Sequence, residues 1–399
     1  MLDSMYVGLT GLLGFSRDLT VIGNNVANLN TPGFKGSQLL FSDLFYRSQF
    51  SDSNRDGSQA RLDIGSGVAT SSTRLIFSQG ELKQTGNAQD AAINGNGFFV
   101  LRKDGQILYT RAGQFTFDAD GFLISQSANA RVQGLVGGSL QDINILGFRT
   151  NAGKATTKVN FSGILDNSST TPFDVSNITV FDSKGVGHTL TATFTNDNII
   201  TPGSWLVEVK DETGNLIASS EIRFDSDGTP AVAFNTINVT LSSGETIEFN
   251  FGDPGSQSGA RSLSASGSSL APSSQDGFGI GSLTTATFDD SGTLVLTYSN
   301  GETKKGDQLA LASFNFLQGL QETQGNLFVS AQNEVPLLGH AKDGPFGTIT
   351  GGSIELANVD LAQQFSDLII SQRGYQASSQ VISTANDLIQ QLFDMKAKR

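Results

Sequence analysis

Leu361-Ala-Gln-Gln-Phe365-Ser-Asp-Leu368-Ile-Ile-Ser-Gln372-Arg373-Gly-Tyr375-Gln-Ala-Ser-Ser379-Gln-Val-Ile382-Ser-Thr-Ala-Asn386-Asp-Leu-Ile389-Gln-Gln-Leu-Phe393 carries a heptad-like apolar stripe at Leu361, Phe365, Leu368, Tyr375, Ile382, Ile389 and Phe393. Gln372, Ser379 and Asn386 interrupt it with polar side chains. The spacing predicts a helix from Asn358 to near Lys396, with one face seeking a partner helix. At 1.5 Å per residue such a helix runs about 55 Å. That is too long to bury its stripe against a compact core at its own end of the chain. The partner is either the other terminus or a neighbouring copy. Ser4 to Asn28 offers a shorter stripe at Met5, Leu9, Leu12, Leu19 and Val26, with gaps at Ser16 and Gly23.

Between the two ends the pattern changes to strands. Gly97-Phe-Phe-Val-Leu101, Ile107-Leu-Tyr-Thr110 and Gln114-Phe-Thr-Phe117 cluster β-branched and aromatic residues. Further strands are expected at Asn177–Phe181, His188–Phe194, Trp205–Val209, Glu221–Phe224, Thr236–Leu241, Thr246–Phe251, Thr285–Phe288 and Thr293–Tyr298. Asp104-Gly105, Asp120-Gly121, Asp227-Gly228 and Asn300-Gly301 mark hairpin turns. Short strands with tight turns imply antiparallel sandwich-like or barrel-like domains. The Gly/Ser-rich stretch 255–282 is expected to be a long loop. Residues 29–70 are weakly patterned and are expected to connect the first helix to the β region.

The 399 residues include no cysteine, which removes disulfides, thiolate nucleophiles and Cys-ligated metals together. A net charge of −13 argues against nucleic acid or an anionic membrane as the main partner. No apolar run approaches the roughly 20 residues that span a bilayer, so no membrane insertion is expected. The opening residues also lack the cationic and long apolar regions of a cleaved secretory signal. Export, if it occurs, is expected to use another route.

Catalysis finds little support. The two histidines are His188, at a strand start, and His340, in a loop, and no Gly-x-Ser-x-Gly elbow stands ready to pair with either. Asp118-Ala-Asp120-Gly and Asp225-Ser-Asp227-Gly open like calcium loops but lack the third ligand and the closing Glu. Asn94-Gly-Asn-Gly97 precedes a strand rather than a helix, so the phosphate-cradling geometry is missing. The reading is a non-enzyme with no catalytic residue, no metal and no cofactor. The different-class alternative is a secreted β-rich adhesin or enzyme with the helices as an oligomerising stalk.

Two longer motifs are more specific. Asp18-Leu-Thr-Val-Ile-Gly-Asn-Asn-Val-Ala-Asn28, followed by Asn30-Thr-Pro-Gly-Phe-Lys35, resembles the N-terminal signature of the bacterial flagellar axial family of rod, hook and hook-associated subunits. Gly352-Ser-Ile-Glu-Leu-Ala-Asn-Val-Asp-Leu361 and Gln372-Arg-Gly-Tyr-Gln376 resemble its C-terminal signature. Gln89–Leu101 and Tyr109-Thr-Arg-Ala-Gly-Gln-Phe115 are similar to the family's inner β domain. Ala357 stands where the family often has Ser, and Ser379 where it often has Asn.

The resemblance implies a mainly β fold with terminal α-helices, built from nested, discontinuous β domains and a coiled-coil helical layer. The expected division is a terminal helical domain (1–28 and 359–399), a connecting segment (29–70), an inner β domain (71–145 and 285–358) and an outer β domain (146–284). The long central insertion favours a hook subunit over a distal rod or hook-associated protein. It implies a self-assembling, curved tube outside the cell that acts as a universal joint and export channel. The implied partners are further copies, the distal rod protein, the hook-filament junction protein, the hook cap protein and the flagellar type III export apparatus. Subunit contacts are expected at the two stripes, at Gln372 and Arg373, and at Asn24, Asn25 and Asn28, whose amides suit bonds between neighbours. Before assembly the terminal helices are expected to be largely disordered. Gly8, Gly11, Gly14 and Gly23 each weaken the first one by about 1 kcal/mol relative to Ala.

Overall fold

The structure, a computed structural model, describes residues 2–44, 46–51, 60–197, 201–330 and 334–397. It is mostly strand, with one long helix at each end: α1, Leu2–Ala27, and α2, Leu361–Ala397. The chain divides into two compact units. The first takes the chain up to Leu146, then Ala286–Val295, then everything from Lys305; the second takes Gly147–Thr285 and Leu296–Lys304.

In the first unit, strand Phe98–Lys103 is the centre of a ten-stranded sheet. Phe98 and Phe99 point to opposite faces, yet both are buried, so the sheet is covered on both sides. Phe98 meets Phe314 and Phe328 edge-on, with ring centroids 5.8 Å apart in each pair. On the other face Phe99 meets Phe115 at 5.0 Å. Edge-to-face packing of this kind lets large rings fill a core without repulsion between their faces.

The segment 29–70 is not the plain connector that its composition suggests. Ser37–Asp43 pairs antiparallel with Val68–Leu75, and Tyr46–Ser51 pairs with Ala60–Gly65. The alternation that would have revealed the first pair is broken by a register shift between Leu40 and Phe41. Only Leu39 of strand Ser37–Asp43 is buried, so the period-2 signal is weak.

The second unit is a two-sheet sandwich around one core. One sheet contains Lys158–Asp166, Thr236–Thr240, Thr246–Asn250, Ala260–Leu263 and Ala271–Gln275; the other contains the four strands from Phe173 to Arg223. Phe161 and Phe249 from the first sheet, with Phe251 just beyond its strand Thr246–Asn250, share a cluster with Phe194, Trp205 and Val207 from the second. Two expectations change here. The sheets are not wholly antiparallel, because Lys158–Asp166 runs parallel to both Thr246–Asn250 and Ala260–Leu263. The stretch 255–282 is not one loop, since Ala260–Leu263 and Ala271–Gln275 both pair with Lys158–Asp166. Every residue of Ala271–Gln275 is exposed, so nothing in its hydropathy announces a strand. Backbone pairing holds it, and serine hydroxyls add to that: just before the strand Ser269 and Ser268 accept from the amides of Ile164 and Asp166, and within it Ser273 donates to the Asn160 carbonyl.

One turn recurs through both units, as Asp-x-x-Gly-x at 118–122, 182–186, 211–215, 225–229 and 289–293. In each, the first residue bonds the fifth and the Gly adopts positive φ. The carboxylates of Asp118, Asp182, Asp211 and Asp289 accept the amide four residues on. This is turn chemistry of the Asx type, and it accounts for the calcium-like spelling. Asp104-Gly105 alone among the four marked pairs is a two-residue turn, with both φ angles positive and Lys103 facing Gln106.

Candidate assembly interface

Helix α2 begins at Asp360, whose Oδ1 accepts the amides of Ala362 and Gln363 as an N-cap. It lies antiparallel on α1, and successive contacts fix the register. Asn25 Nδ2 donates to Gln364 Oε1 at 2.9 Å, and Ser371 Oγ donates to Asp18. Phe15 lies over Gly374, Gly11 lies against Ser378, and Gly8 lies against Ile382. A Cβ at Gly8 would stand 2.8 Å from Ile382 and one at Gly374 2.5 Å from Phe15, so the backbones approach closely only because these positions are bare.

The seam therefore has two halves, and the apolar stripe is only one of them. Gln364, Ser371, Ser378 and Ala385 form the other, seven residues apart. Ser371 and Ala385, 3% and 5% exposed, are more buried than any of the seven stripe residues. Leu368, Ile382 and Ile389 are half-buried, while Leu361, Phe365, Tyr375 and Phe393 are exposed. On α1, Met5, Leu12, Leu19 and Val26 are half-buried and Leu9 is exposed. Tyr6, Leu13, Ile369 and Ile370 add further exposed apolar surface that the stripes had not flagged. Gln372 and Arg373 are exposed as well. Two helices thus close a narrow seam of Gly, Ser and amide groups and leave much of their apolar surface uncovered.

The asparagines divide. Asn25, expected to offer its amide to a neighbour, is 3% exposed and satisfied within its own chain, donating to Ser37 O and accepting from Ser37 N. Asn28 closes the end of α1, donating to Asn24 O and accepting from the Thr31 hydroxyl. Only Asn24 of the three is exposed.

Below α1 the three sequence motifs converge on Glu355. Lys35 Nζ lies 2.6 Å from its Oε1 and Arg111 Nη1 lies 3.2 Å from its Oε2. The Gly80 amide donates to the same carboxylate, and the Gly33 amide donates to the Glu355 carbonyl. All three charged side chains are buried. Burial pulls both Lys35 and Arg111 below their ordinary pKa values, and the Glu355 carboxylate only partly offsets it. The surplus positive charge is met by carbonyls: Lys35 donates to Ser78 O and Arg111 to Gly95 O. Asn358 ties the same region down, donating to Ile76 O and Ser78 O and accepting from the Gly36 amide. Sequence reading found these motifs but not their meeting point, because Lys35 and Glu355 are 320 residues apart.

The histidines are placed without a reaction partner. His188 Nε2 lies 3.6 Å from Asp182, whose carboxylate already serves its own turn, and His340 lies in a loop. Among the described residues no three His, Asp or Glu side chains gather as metal ligands, and no helix is long and apolar enough to cross a membrane.

The profile described as "Flagellar hook protein FlgE/F/G D1 domain" matches residues 92–180. "Flagella basal body rod protein" matches 5–35, and "Flagellar basal body rod FlgEFG protein C-terminal" matches 350–395. The flagellar hook protein FlgE of Borreliella burgdorferi is 30% identical over 99% of this chain and 100% of its own length. The chain belongs to the flagellar hook protein family. The hook protein FlgE of Escherichia coli K12 is likewise 30% identical, over 97% of this chain and 98% of its own. The crystal structure of Helicobacter pylori flagellar hook protein FlgE2 aligns with 69% of this chain and 99% of that one, at 15% identity and a TM-score of 0.43. The rod-protein profiles match only the ends, whereas the hook-protein relatives align from end to end. That sets a structural hook subunit of the flagellum above the rod alternative.

Proposed function

We propose that copies of this hook protein stack through the α1–α2 pair into a curved tube. The helix pairs form its inner, channel-lining layer, the β body of the first unit its wall, and residues 146–284 its outer surface. The observation that carries this reading is the uncovered apolar surface of the helix pair, including Leu9 at 47%, Phe365 at 50% and Ile370 at 64% exposed. A lone helix pair with a Gly and Ser seam has little reason to keep those residues in water unless neighbouring copies cover them. The expected subunit contacts are the stripe residues of both helices together with Asn24, Gln372 and Arg373. The subunit acts mechanically, with no catalytic step. A closely packed helical layer passes torque from rod to filament, and polar outer faces slide past one another as the tube bends. The distal rod protein, hook-filament junction protein, hook cap protein and flagellar export apparatus are the further partners of this reading, which places the tube outside the cell.

The test is electron microscopy of basal bodies from cells lacking only this chain. Complete rods that end without a hook are the expected result. Normal hooks would sink the reading, and assembly halted earlier would make the chain a rod component.

A further inference from the structure

Beside the seam, α1, strand Ser37–Asp43 and α2 enclose an open groove of about 350 Å³. Asp18 and Asp367 give it negative charge, Gln38 and Gln363 add amides, and Phe41 and Ile370 give it an apolar rim. Asp18 already accepts from Ser371, and Asp367 accepts from Gln363 at 2.9 Å. Neither carboxylate has a cation beside it among the described residues. The groove thus offers two acceptors and no positive charge.

The complement is on the same helix but on another side. Ser371 faces α1, and each helical residue turns the chain by about 100°, so Arg373 stands roughly 200° round from the seam. Asp367, four residues before Ser371, stands only about 40° from it, on the groove side. Arg373 is exposed and has no hydrogen bond or ion pair among the described residues. It is also the only cation with a described side chain on α2, which carries Asp367, Asp387 and Asp394. On α1 the cation is Arg17, which is engaged with Thr70.

We propose that Arg373 of one copy seats in the Asp18–Asp367 groove of a second copy. This rests on the reading that copies assemble through the helix pair, and it names the contact that sets their register. A planar guanidinium carries five donors and fits carboxylate and amide oxygens better than a point charge would, while its stem covers Phe41 and Ile370. Donor and groove occupy different faces of one molecule, so the contact is heterologous. A heterologous contact that does not close on itself repeats into an open helical array, which is the symmetry a tube needs.

The experiment uses cells lacking their own copy of the chain, supplied with the parent chain, R373D, D367R, or the two substitutions together. Hooked basal bodies are counted by electron microscopy, and the melting of each purified full-length chain is followed by circular dichroism. Each single reversal puts like charges face to face and should cut hooked basal bodies by about tenfold or more. The double reversal restores the pair and should return the count to within about threefold of the parent. Single variants that build hooks like the parent would overturn the contact while leaving assembly through the helices intact. So would a double variant no better than the singles, when all four chains melt alike. A parent chain that restores no hooks would overturn the assembly reading itself.

Discussion

At the scale of single residues, Glu355 shows what the sequence motifs are for. One carboxylate receives Lys35 from the N-terminal motif and Arg111 from the inner β motif, and its own backbone receives Gly33. Glu355→Gln leaves two buried cations without a counter-charge and should lower stability by about 3–5 kcal/mol in urea unfolding. A loss below 1 kcal/mol would show that the carbonyls alone support the cations. Gly33 has φ +70 and a Cβ there would meet the Ala112 nitrogen at 2.4 Å, so no other residue fits where the chain leaves α1. Charge also sets a pH dependence, in the second unit. Burial would raise the Asp276 carboxyl, but the Thr157 hydroxyl, the amides of Lys158 and Thr157, and Lys154 together hold it far below the usual range. The Ser183 and Ser243 hydroxyls and the Ser183 amide bring Glu245 to about 2. Both folded values lie below the unfolded ones, near 3.9 and 4.3. The unfolded chain therefore takes up these protons first, and the stabilisation present above about pH 4 is lost as pH falls. The urea midpoint should drop between about pH 5 and pH 2, and Asp276→Asn should flatten that drop. An unchanged slope in the variant would rule Asp276 out as a contributor.

At the scale of elements, the helices were legible in the sequence and their seam was only half so. Apolar residues announce a helix face, but Gly8, Gly11, Ser371 and Ser378 carry no hydropathy signal, and they are where the backbones meet. The stripe residues Leu361, Phe365 and Phe393 are apolar, yet the chain's own fold leaves those three residues exposed. The same logic hid the strand Ala271–Gln275, which is held by backbone pairing and hydroxyls rather than by burial. The glycines of α1 give a paired test. Gly23 has no atom within 4 Å of where a Cβ would stand, so Gly23→Ala should stabilise the helix by about 0.5–1 kcal/mol and raise the ellipticity signal at 222 nm. Gly8→Ala carries the same propensity gain but drives a methyl into Ile382, so it should lower the yield of hooks. Equal effects from the two substitutions would deny the close seam. Because that seam buries little apolar surface, amides across 361–397 should exchange rapidly in the unassembled chain and become protected in tubes. Strong protection in the monomer would show that the pair is stable alone.

At the scale of the whole molecule, the sequence made the order of materials plain, with helix at both ends and strand between. The chain changes unit inside the hairpin of Gly281–Phe288 and Thr293–Tyr298: alternation changes phase at Thr284-Thr285, beside the Thr285–Ala286 change, but runs unbroken through Thr293–Tyr298, where the second change carries no mark. The two units have separate cores, and this has a thermodynamic consequence. Phe98, Tyr109, Phe314 and Phe328 hold the first, while Trp205, Phe161, Phe194 and Phe249 hold the second. Domains with their own cores unfold as their own cooperative units, so calorimetry of the full chain should resolve two transitions. Trp205 is 1% exposed and its indole donates to Ser262 at 3.0 Å, so Trp205→Ala opens a cavity and removes a buried bond together. It should cost one transition about 3–5 kcal/mol, a shift of several degrees, and leave the other in place. Phe98→Ala should do the reverse, since Phe98 packs edge-on against three rings of the first core. If either variant moved both transitions equally, the two cores would be coupled. Transitions that move one at a time would agree with the proposed tube, in which contacts of the second unit exchange while the helix layer holds.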